Sequence, residues 1–177
     1  MPHWALGENA GLRILKLDDA GELFALIERN RHRLGKYLPW VHSTRSAADV
    51  EGFLRAAATQ HEAGLGFHAA ILWHGRLAGC TGMHPIDQGH RNTSLGYWVD
   101  EATQGKGLVT RATAEMVRIC FTDYRLHRVE IRCASCNDRS AAVPQRLGFR
   151  EEGLLRGAQL VNGQWFDLRV FGRLATD

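Results

Sequence analysis

Only four cysteines occur among 177 residues. That is too few for a disulfide scaffold in a chain of this length, and it agrees with a reducing compartment. No apolar stretch approaches the roughly 20 residues that a membrane-crossing helix needs. A charge block is also missing: the formal net charge is +3, and Lys and Arg are scattered among acids, which leaves nucleic-acid binding unsupported. The first residues, Met1-Pro2-His3-Trp4-Ala5-Leu6-Gly7-Glu8, lack the basic start and continuous apolar run of a signal peptide. These absences together give the expectation of a cytoplasmic protein with no membrane and no nucleic-acid partner.

With 45% hydrophobic residues, the chain can bury the core of one ordinary domain, and residues 1–177 are expected to form a single one. No repeat, low-complexity tract or linker interrupts it. A first strand is predicted from Leu12, Ile14 and Leu17, with Asp18-Asp19 capping a helix that carries Leu23, Leu26 and Ile27. Regularity is expected to break from Arg29 to Ser43, where Tyr37-Leu38-Pro39-Trp40 sets large aromatics on an irregular connection. Ser46-Ala47-Ala48-Asp49 resembles a capping box for a second helix with Val50, Phe53, Leu54 and Ala57 on one face and a stop at Gly64.

Phe67, Ala69, Ile71 and Trp73 alternate with His68, Ala70 and Leu72, and His74-Gly75 turns the chain into Arg76 to Met83, a hairpin pattern. Ser94 to Val99 reads as the next strand. Leu108, Ala112, Met116, Ile119 and Cys120 fall at helical spacing over residues 106–123, and Val129, Ile131 and Cys133 alternate as a strand that completes a βαβ unit. Asn137 can cap a short helix that Gly148 ends, and Asn162-Gly163 marks a last hairpin with Phe166, Leu168 and Val170 inward. The predicted order is β-α-α-β-β-β-α-β-α-β-β.

Between the strand at Ser94 to Val99 and the long helix lies Gln104-Gly105-Lys106-Gly107-Leu108-Val109-Thr110. A turn entering a helix exposes unpaired N–H groups at the positive end of the helix dipole, and glycines let an anion approach the backbone. Such a turn suits a pyrophosphate, or it is only a strand-to-helix connection. A Walker loop needs a different spacing, Gly-x-x-x-x-Gly-Lys-Ser/Thr. A dinucleotide fingerprint needs a third glycine where Thr110 stands, and the turn would open the domain instead of following hairpins.

The pattern Arg/Gln-x-x-Gly-x-Gly/Ala of the GCN5-related N-acetyltransferases (GNAT) is the better match. Gln104-Gly105-Lys106-Gly107-Leu108-Val109 resembles it, departing at Val109. The segment order, Gly96-Tyr97-Trp98-Val99, the Asn137 to Ser140 cap and Arg146-Leu147-Gly148-Phe149 extend the resemblance over nearly the whole chain. With Leu38-Pro39-Trp40 and the Asn162-Gly163 hairpin, the chain looks most like the RimJ/RimL-type branch, which acetylates ribosomal-protein N-termini.

The resemblance implies an α/β (α+β) fold, a mixed, mostly antiparallel splayed sheet flanked by helices, with acetyl-CoA in the splay and no metal. The pantetheine arm would pair with the backbone of Trp98 and Val99. The pyrophosphate would rest on the turn formed by Gln104, Gly105, Lys106, Gly107, Leu108, Val109 and Thr110. Val109 need not hurt, because an amide donates whatever its side chain. Asn137 and Ser140 would reach the pantetheine and sulfur end.

Attack of an amine on a thioester builds negative charge on the carbonyl oxygen and expels a thiolate, so the site needs a fixed donor and a proton source. The Val99 N–H is the candidate donor. Ser140 is the candidate for the leaving sulfur, or else an ordinary residue of a first helical turn. Pro144 lacks an N–H and leaves the Ser140 carbonyl without its helical partner, so a kink or a separate ligand for that carbonyl is expected.

A base is harder to find. Related transferases commonly carry a glutamate before the final hairpin, but this chain reads Ala158-Gln159-Leu160, and an amide cannot accept a proton at neutral pH, although it can orient a water. His84 is the remaining candidate base, or a structural histidine; His68 and His127 rank below it. Tyr37 and Trp40 are core plugs or the wall of an acceptor groove that also takes in His84 and Gln159.

An α-amine with pKa about 8 is roughly a tenth neutral at pH 7, and a lysine near 10.4 only about four times in ten thousand, so a weakly equipped site favours an N-terminal amine. Cys133-Ala134-Ser135-Cys136 admits a redox or zinc reading, but Cys80 and Cys120 are single, and the favoured role puts Cys133 beside the acyl-CoA sulfur, where the two can be oxidised together. The acceptor is expected to be a protein N-terminus, with a small amine such as a polyamine or antibiotic as the alternative. A CoA-binding sensor without catalysis is a third reading, and a homodimer is left open.

Overall fold

The computed structural model describes residues 3–177; Met1 and Pro2, which open the leader reading, lie outside them. Eight strands form one sheet in the order β1-β2-β3-β4-β5-β6-β8-β7. They are β1 (His3–Ala5), β2 (Ala10–Ile14), β3 (His68–Trp73), β4 (Arg76–Met83), β5 (Asn92–Val99), β6 (Arg128–Ala134), β7 (Arg150–Val161) and β8 (Gln164–Leu174). Every neighbouring pair is antiparallel except β5 and β6. Four α-helices flank the sheet: α1 (Ala20–Leu34), α2 (Ala47–Glu62), α3 (Leu108–Thr122) and α4 (Asp138–Arg146).

The order matches the predicted one with a single addition, β1, whose three residues are too few to show a periodicity and which forms by pairing with Gly11 to Arg13. Its Trp4 stacks on Phe67 at 5.3 Å between ring centroids. Three expectations near the start need correction. Leu17 belongs to a 3-10 turn, Leu17–Asp19, and not to the first strand. The Asp19 carboxylate does not cap α1; it accepts from the Lys16 N–H at 2.7 Å and from both terminal nitrogens of Arg13 at 2.7 Å. Helix α1 runs on through Arg29 to Leu34, because its apolar face stays in register with Leu26, Ile27 and Leu34, and Pro39–His42 then forms a short 3-10 turn.

Other local signals act as their chemistry dictates. The Ser46 hydroxyl accepts from the Asp49 N–H at 3.3 Å, and the Asp49 carboxylate accepts from the Ser46 N–H at 2.9 Å, closing the capping box of α2. His74 (φ 48°) with Gly75 (φ 73°), and Asn162 (φ 50°) with Gly163 (φ 75°), take the left-handed conformations that a two-residue hairpin turn demands.

Helices α1 and α2 cover one face of the sheet, where Leu23, Leu26, Val50 and Leu54 pack on Ala70, Leu72, Leu77 and Cys80. Helix α3 covers the other, where Leu108, Met116 and Ile119 meet Leu12, Ala69, Ile71, Leu95 and Phe171. Both faces of β3 are therefore buried, which its alternating sequence does not separate. Phe53, expected on the apolar face of α2, is 40% exposed and meets the His68 ring edge-on at 4.9 Å.

His68 sits where a Cβ on Gly82 would strike its ring. Burial, helped by the nearby His84, lowers its pKa to about 4. The folded state therefore disfavours the imidazolium, so stability is full above the ordinary histidine range near 6.5 and declines as pH falls toward about 4. A shift of that size corresponds to up to about 3 kcal/mol. Urea midpoints at pH 7 and pH 4.5 are expected to differ more for the wild type than for His68→Gln; equal differences would rule out His68 as the cause.

Candidate active site

The parallel ladder joins Asn92–Leu95 of β5 to Arg128–Ile131 of β6 and then stops, although both strands continue. Beyond it, β4 is the strand that still pairs with β5. The His84 N–H donates to the Ser94 carbonyl at 2.9 Å and the Asp100 N–H to the Ala78 carbonyl at 2.7 Å, which fixes the phase of that antiparallel pairing. Main-chain groups alternate in direction, so Ser94, Gly96, Trp98 and Asp100 exchange bonds with β4, while Tyr97 and Val99 point theirs into the gap beside β6. The Val99 N–H thus points into the gap. Trp98, expected to share in that pairing, directs its main chain to β4. On Gly79 a Cβ would collide with the Trp98 carbonyl, so this close approach of β4 requires glycine.

The segment from Gln104 to Gly107 forms the predicted tight turn. Gly105 (φ 75°) and Gly107 (φ 69°) are left-handed, and Gly107 is the N-cap of α3 without a side-chain cap bond. The amides of Leu108, Val109 and Thr110 precede the first helical bond, which runs from the Arg111 N–H to the Gly107 carbonyl at 3.0 Å, and they are free to meet an anion. Cations ring the turn. Lys106 Nζ lies 5.6 Å from the centre of the Trp73 ring, Arg111 donates to the Lys106 carbonyl at 3.1 Å, and Arg139 donates to the Gln104 side chain at 2.8 Å.

Helix α4 begins across the gap. The Asn137 side-chain oxygen accepts from the Ser140 N–H at 3.2 Å, which fixes the first turn that carries Ser140. The Ser140 carbonyl, left without a helical donor by Pro144, receives the Tyr97 hydroxyl at 2.9 Å. This is the separate ligand that the proline predicts, and it ties α4 to the free end of β5. Burial raises the pKa of Tyr97, so the phenol stays a donor. Buried Cys133 faces the same side: burial raises its pKa, while Arg169 and a bond with the Ser140 side chain draw it down. All four cysteines are free; Cys80 and Cys120 are pushed up to about 12 by burial, and Cys136 is exposed.

Tyr37, Trp40, His84 and Gln159 each contact a neighbour on the sheet's α1–α2 side or on the connection above it. The rings of Trp40 and Trp98 lie 6.2 Å apart, tilted by 46°, with Trp40 38% exposed. Tyr37 lies edge-on to Phe166 at 6.4 Å, and the Gln159 amide donates to the Tyr37 carbonyl. Gln159 therefore bolts the last hairpin to the α1–α2 connection. His84 is exposed, with Nδ1 2.8 Å from the Ser94 hydroxyl and Cε1 above Gly96. An open cleft of about 320 Å³ is lined by Ser94, the partner of His84, with Arg128, Glu130 and Arg132. A hollow of about 400 Å³ beside His3 and His74 lies at the far edge of the sheet from these groups. Among the described residues no group of His, Cys, Asp and Glu side chains could hold a metal ion, and no helix is long and apolar enough to cross a membrane.

Sequence reasoning missed Tyr97, although the orphaned carbonyl left by Pro144 was the signal that could have led to it. It also missed Asn30, Arg33 and Arg139, whose partners lie on remote segments. In Tyr97→Phe the Ser140 carbonyl loses the donor that replaces its helical one, a loss of about 1 kcal/mol for a half-buried group. Pro144→Ala restores a helical N–H for that carbonyl. A double-mutant cycle from denaturant midpoints is therefore expected to be non-additive, with Tyr97→Phe costing about 1 kcal/mol less in the Pro144→Ala background than in the wild type; strict additivity would show that the phenol does not replace the missing helical bond.

Known proteins share this architecture. A family model described as an acetyltransferase (GNAT) domain matches residues 10–150. The putative ribosomal N-acetyltransferase YdaF of Bacillus subtilis (strain 168) is 35% identical over 170 residues, 96% of this chain and 93% of that protein. The ribosomal-protein-serine acetyltransferase of Escherichia coli (strain K12) is 25% identical over 169 residues, 96% and 94% of the two chains. Among solved structures, the ribosomal alpha-N-protein acetyltransferase RimL, in complex with coenzyme A as a disulfide with one of its cysteines, superposes with a TM-score of 0.94 at 22% identity, covering 98% of each chain. With a family model spanning most of its length and a relative matched almost end to end, the chain belongs to the GNAT acetyltransferase family.

Proposed function

We propose that this acetyltransferase moves the acetyl group of acetyl-CoA onto the α-amine of a protein N-terminus, with ribosomal proteins as the acceptor class, by direct attack in a ternary complex in the cytoplasm. The observation that carries the reading is the gap beside β6. It leaves the Val99 N–H without a strand partner, the first turn of α4 is tied to its edge through the Ser140 carbonyl, and the Trp40–Trp98 pair lies on its other face. The residues fit the donor. The amides of Gly105, Lys106, Gly107, Leu108, Val109 and Thr110 face a pyrophosphate with Lys106 and Arg139 nearby, and the Asn137 amide nitrogen is free for a pantetheine carbonyl.

Acetyl-CoA supplies a carbonyl open to attack and a thiolate that leaves. The Val99 N–H donates to the carbonyl oxygen as charge grows there, and its fixed direction makes it effective. Ser140 donates its hydroxyl proton toward the departing sulfur. His84, its Nδ1 engaged by Ser94, keeps Nε2 for a water above Gly96 that takes the amine proton. Trp40 and Trp98 wall the peptide, and Tyr37 and Gln159 close the groove. Cys133, beside Ser140, is the cysteine that an oxidised CoA would capture by disulfide exchange, as the RimL complex does with one of its own.

A small polycationic amine fits the groove less well. Glu130 bonds Arg128 at 2.9 Å and Arg132 at 2.5 Å, and Glu152 bonds Arg128, so the carboxylates on that face are already neutralised. Thiol release from acetyl-CoA is expected with a peptide beginning in a free serine and is expected to fall away with spermidine or the N-acetylated peptide. Ser140→Ala should lower kcat about 100-fold with little change in KM. No thiol release with any amine would leave a CoA-binding sensor as the better reading.

A further inference from the structure

Asn30 is 2% exposed, in the middle of α1 and far in sequence from the glycine turn. Its amide nitrogen donates to the Leu26 carbonyl at 2.9 Å and to the Asp100 carboxylate at 2.9 Å. Its oxygen accepts from the Glu101 N–H at 2.9 Å and from Arg33 Nη2 at 3.1 Å. Two donors and two acceptor sites are all that a primary amide has, and all are in use. The same Arg33 nitrogen donates to the Val99 carbonyl, and Asp100, 5% exposed, also receives Arg29 at 2.6 Å. One side chain on α1 therefore reaches, directly or through Arg33, three consecutive residues: the Val99 carbonyl, the Asp100 carboxylate and the Glu101 N–H.

Those residues form the corner between the donor end of β5 and the 3-10 turn Glu101–Thr103 that leads into the glycine turn. Past Leu95 nothing from β6 holds β5, and the pairing with β4 ends at Asp100. A strand gripped along one edge can pivot about that edge. An N–H that must meet a developing oxyanion is useful only if its direction is fixed beforehand. Because Arg33 occupies the Val99 carbonyl, the N–H is the group Val99 has left for a ligand.

We propose that Asn30 is a positioning residue for acetyl transfer: through Asp100, Glu101 and Arg33 it sets the direction of the Val99 N–H and the start of the pyrophosphate turn. The inference rests on the donor role proposed for Val99. In Asn30→Asp the shape is kept but both donors are lost, and a carboxylate faces that of Asp100. Around this position stand Asp100, Glu101, Arg29 and Arg33. Burial and Asp100 outweigh the arginines, of which Arg29 is already engaged by Asp100, so the new carboxyl takes up a proton at mildly acidic pH and regains one donor toward Asp100.

The experiment compares kcat, KM for acetyl-CoA and CoA affinity by calorimetry for wild type, Asn30→Asp and Arg33→Met between pH 6 and 8.5. Asn30→Asp is expected to show about a tenfold lower kcat at the alkaline end, less than the hundredfold or more of deleting an oxyanion donor, and a ratio to wild type that recovers as pH falls. Arg33→Met, which cuts the tether to Val99 and the bond to the Asn30 oxygen but leaves Asn30 on Asp100 and Glu101, should lower kcat about tenfold at every pH, and it carries the test if Asn30→Asp does not fold. Folded variants with wild-type kcat and CoA affinity, or an Asn30→Asp deficit that is flat with pH, would overturn the proposal and leave Asn30 as a stabilising core residue. If the wild type releases no thiol with any amine, the functional reading fails by itself, and CoA affinity still reports whether Asn30 orders the turn.

Discussion

The pairing of β5 with β6 ends after Leu95 and Ile131 while both strands run on, and most of what is distinctive in this molecule follows from that separation. Backbone N–H and C=O groups inside a protein need partners. Those of Tyr97 and Val99 lack a strand partner, so their surroundings must supply one or a ligand must. Arg33 takes the Val99 carbonyl, and the N–H stays free. The gap is thus a strand's width of hydrogen-bonding edge held open inside the sheet, the place where an extended, amide-bearing molecule can lie.

Holding such a gap open requires supports on both sides. From the α3–α4 side, Tyr97 spans it to reach the Ser140 carbonyl, and the loss of a helical donor at Pro144 makes that carbonyl available. The Arg173 guanidinium, donating to the Leu147 carbonyl at 3.0 Å, secures the other end of α4 to β8. From the α1–α2 side, Asp100 is gripped by Arg29 and Asn30. Burial alone would raise its pKa, but these bonds outweigh it and hold the carboxyl below its usual range. The acid is therefore a fixed anion near neutrality, and the corner it anchors is rigid where the glycine turn begins.

How much of this could be read in the sequence depends on how far apart the partners are. The hairpins at His74-Gly75 and Asn162-Gly163, the Ser46 capping box and helix α3 are local, and local chemistry decides them. The orphaned Ser140 carbonyl was legible too, since a proline inside a helix announces it. Its partner Tyr97, 43 residues away, was not. Strand β1 escaped because three edge residues carry no period, and the length of α1 because Arg29 to Arg33 look polar while Asn30 is buried by its bonds to residues some 70 positions later. Asp19 turned backward to Lys16 and Arg13 because two charge-assisted bonds there outweigh one helix cap.

The acceptor side is governed by what its polar groups are already doing. The Gln159 amide is spent on the Tyr37 carbonyl, so it fastens the groove wall, and an amide cannot take a proton at neutral pH. Glu130 is shared by Arg128 and Arg132 and is not a free base either. What remains near the gap is His84, steadied by Ser94 and separated from Trp98 by the bare backbone of Gly96, which leaves space for a water and not for a second side chain. One imidazole acting through water is modest equipment for stripping a proton. An α-amine, roughly a tenth of which is already neutral at pH 7, asks less of such a base than a lysine that is neutral about four times in ten thousand. The proposed preference for an α-amine therefore rests less on the shape of the groove than on the state of Glu130 and Glu152 beside it, both of which are held by arginines.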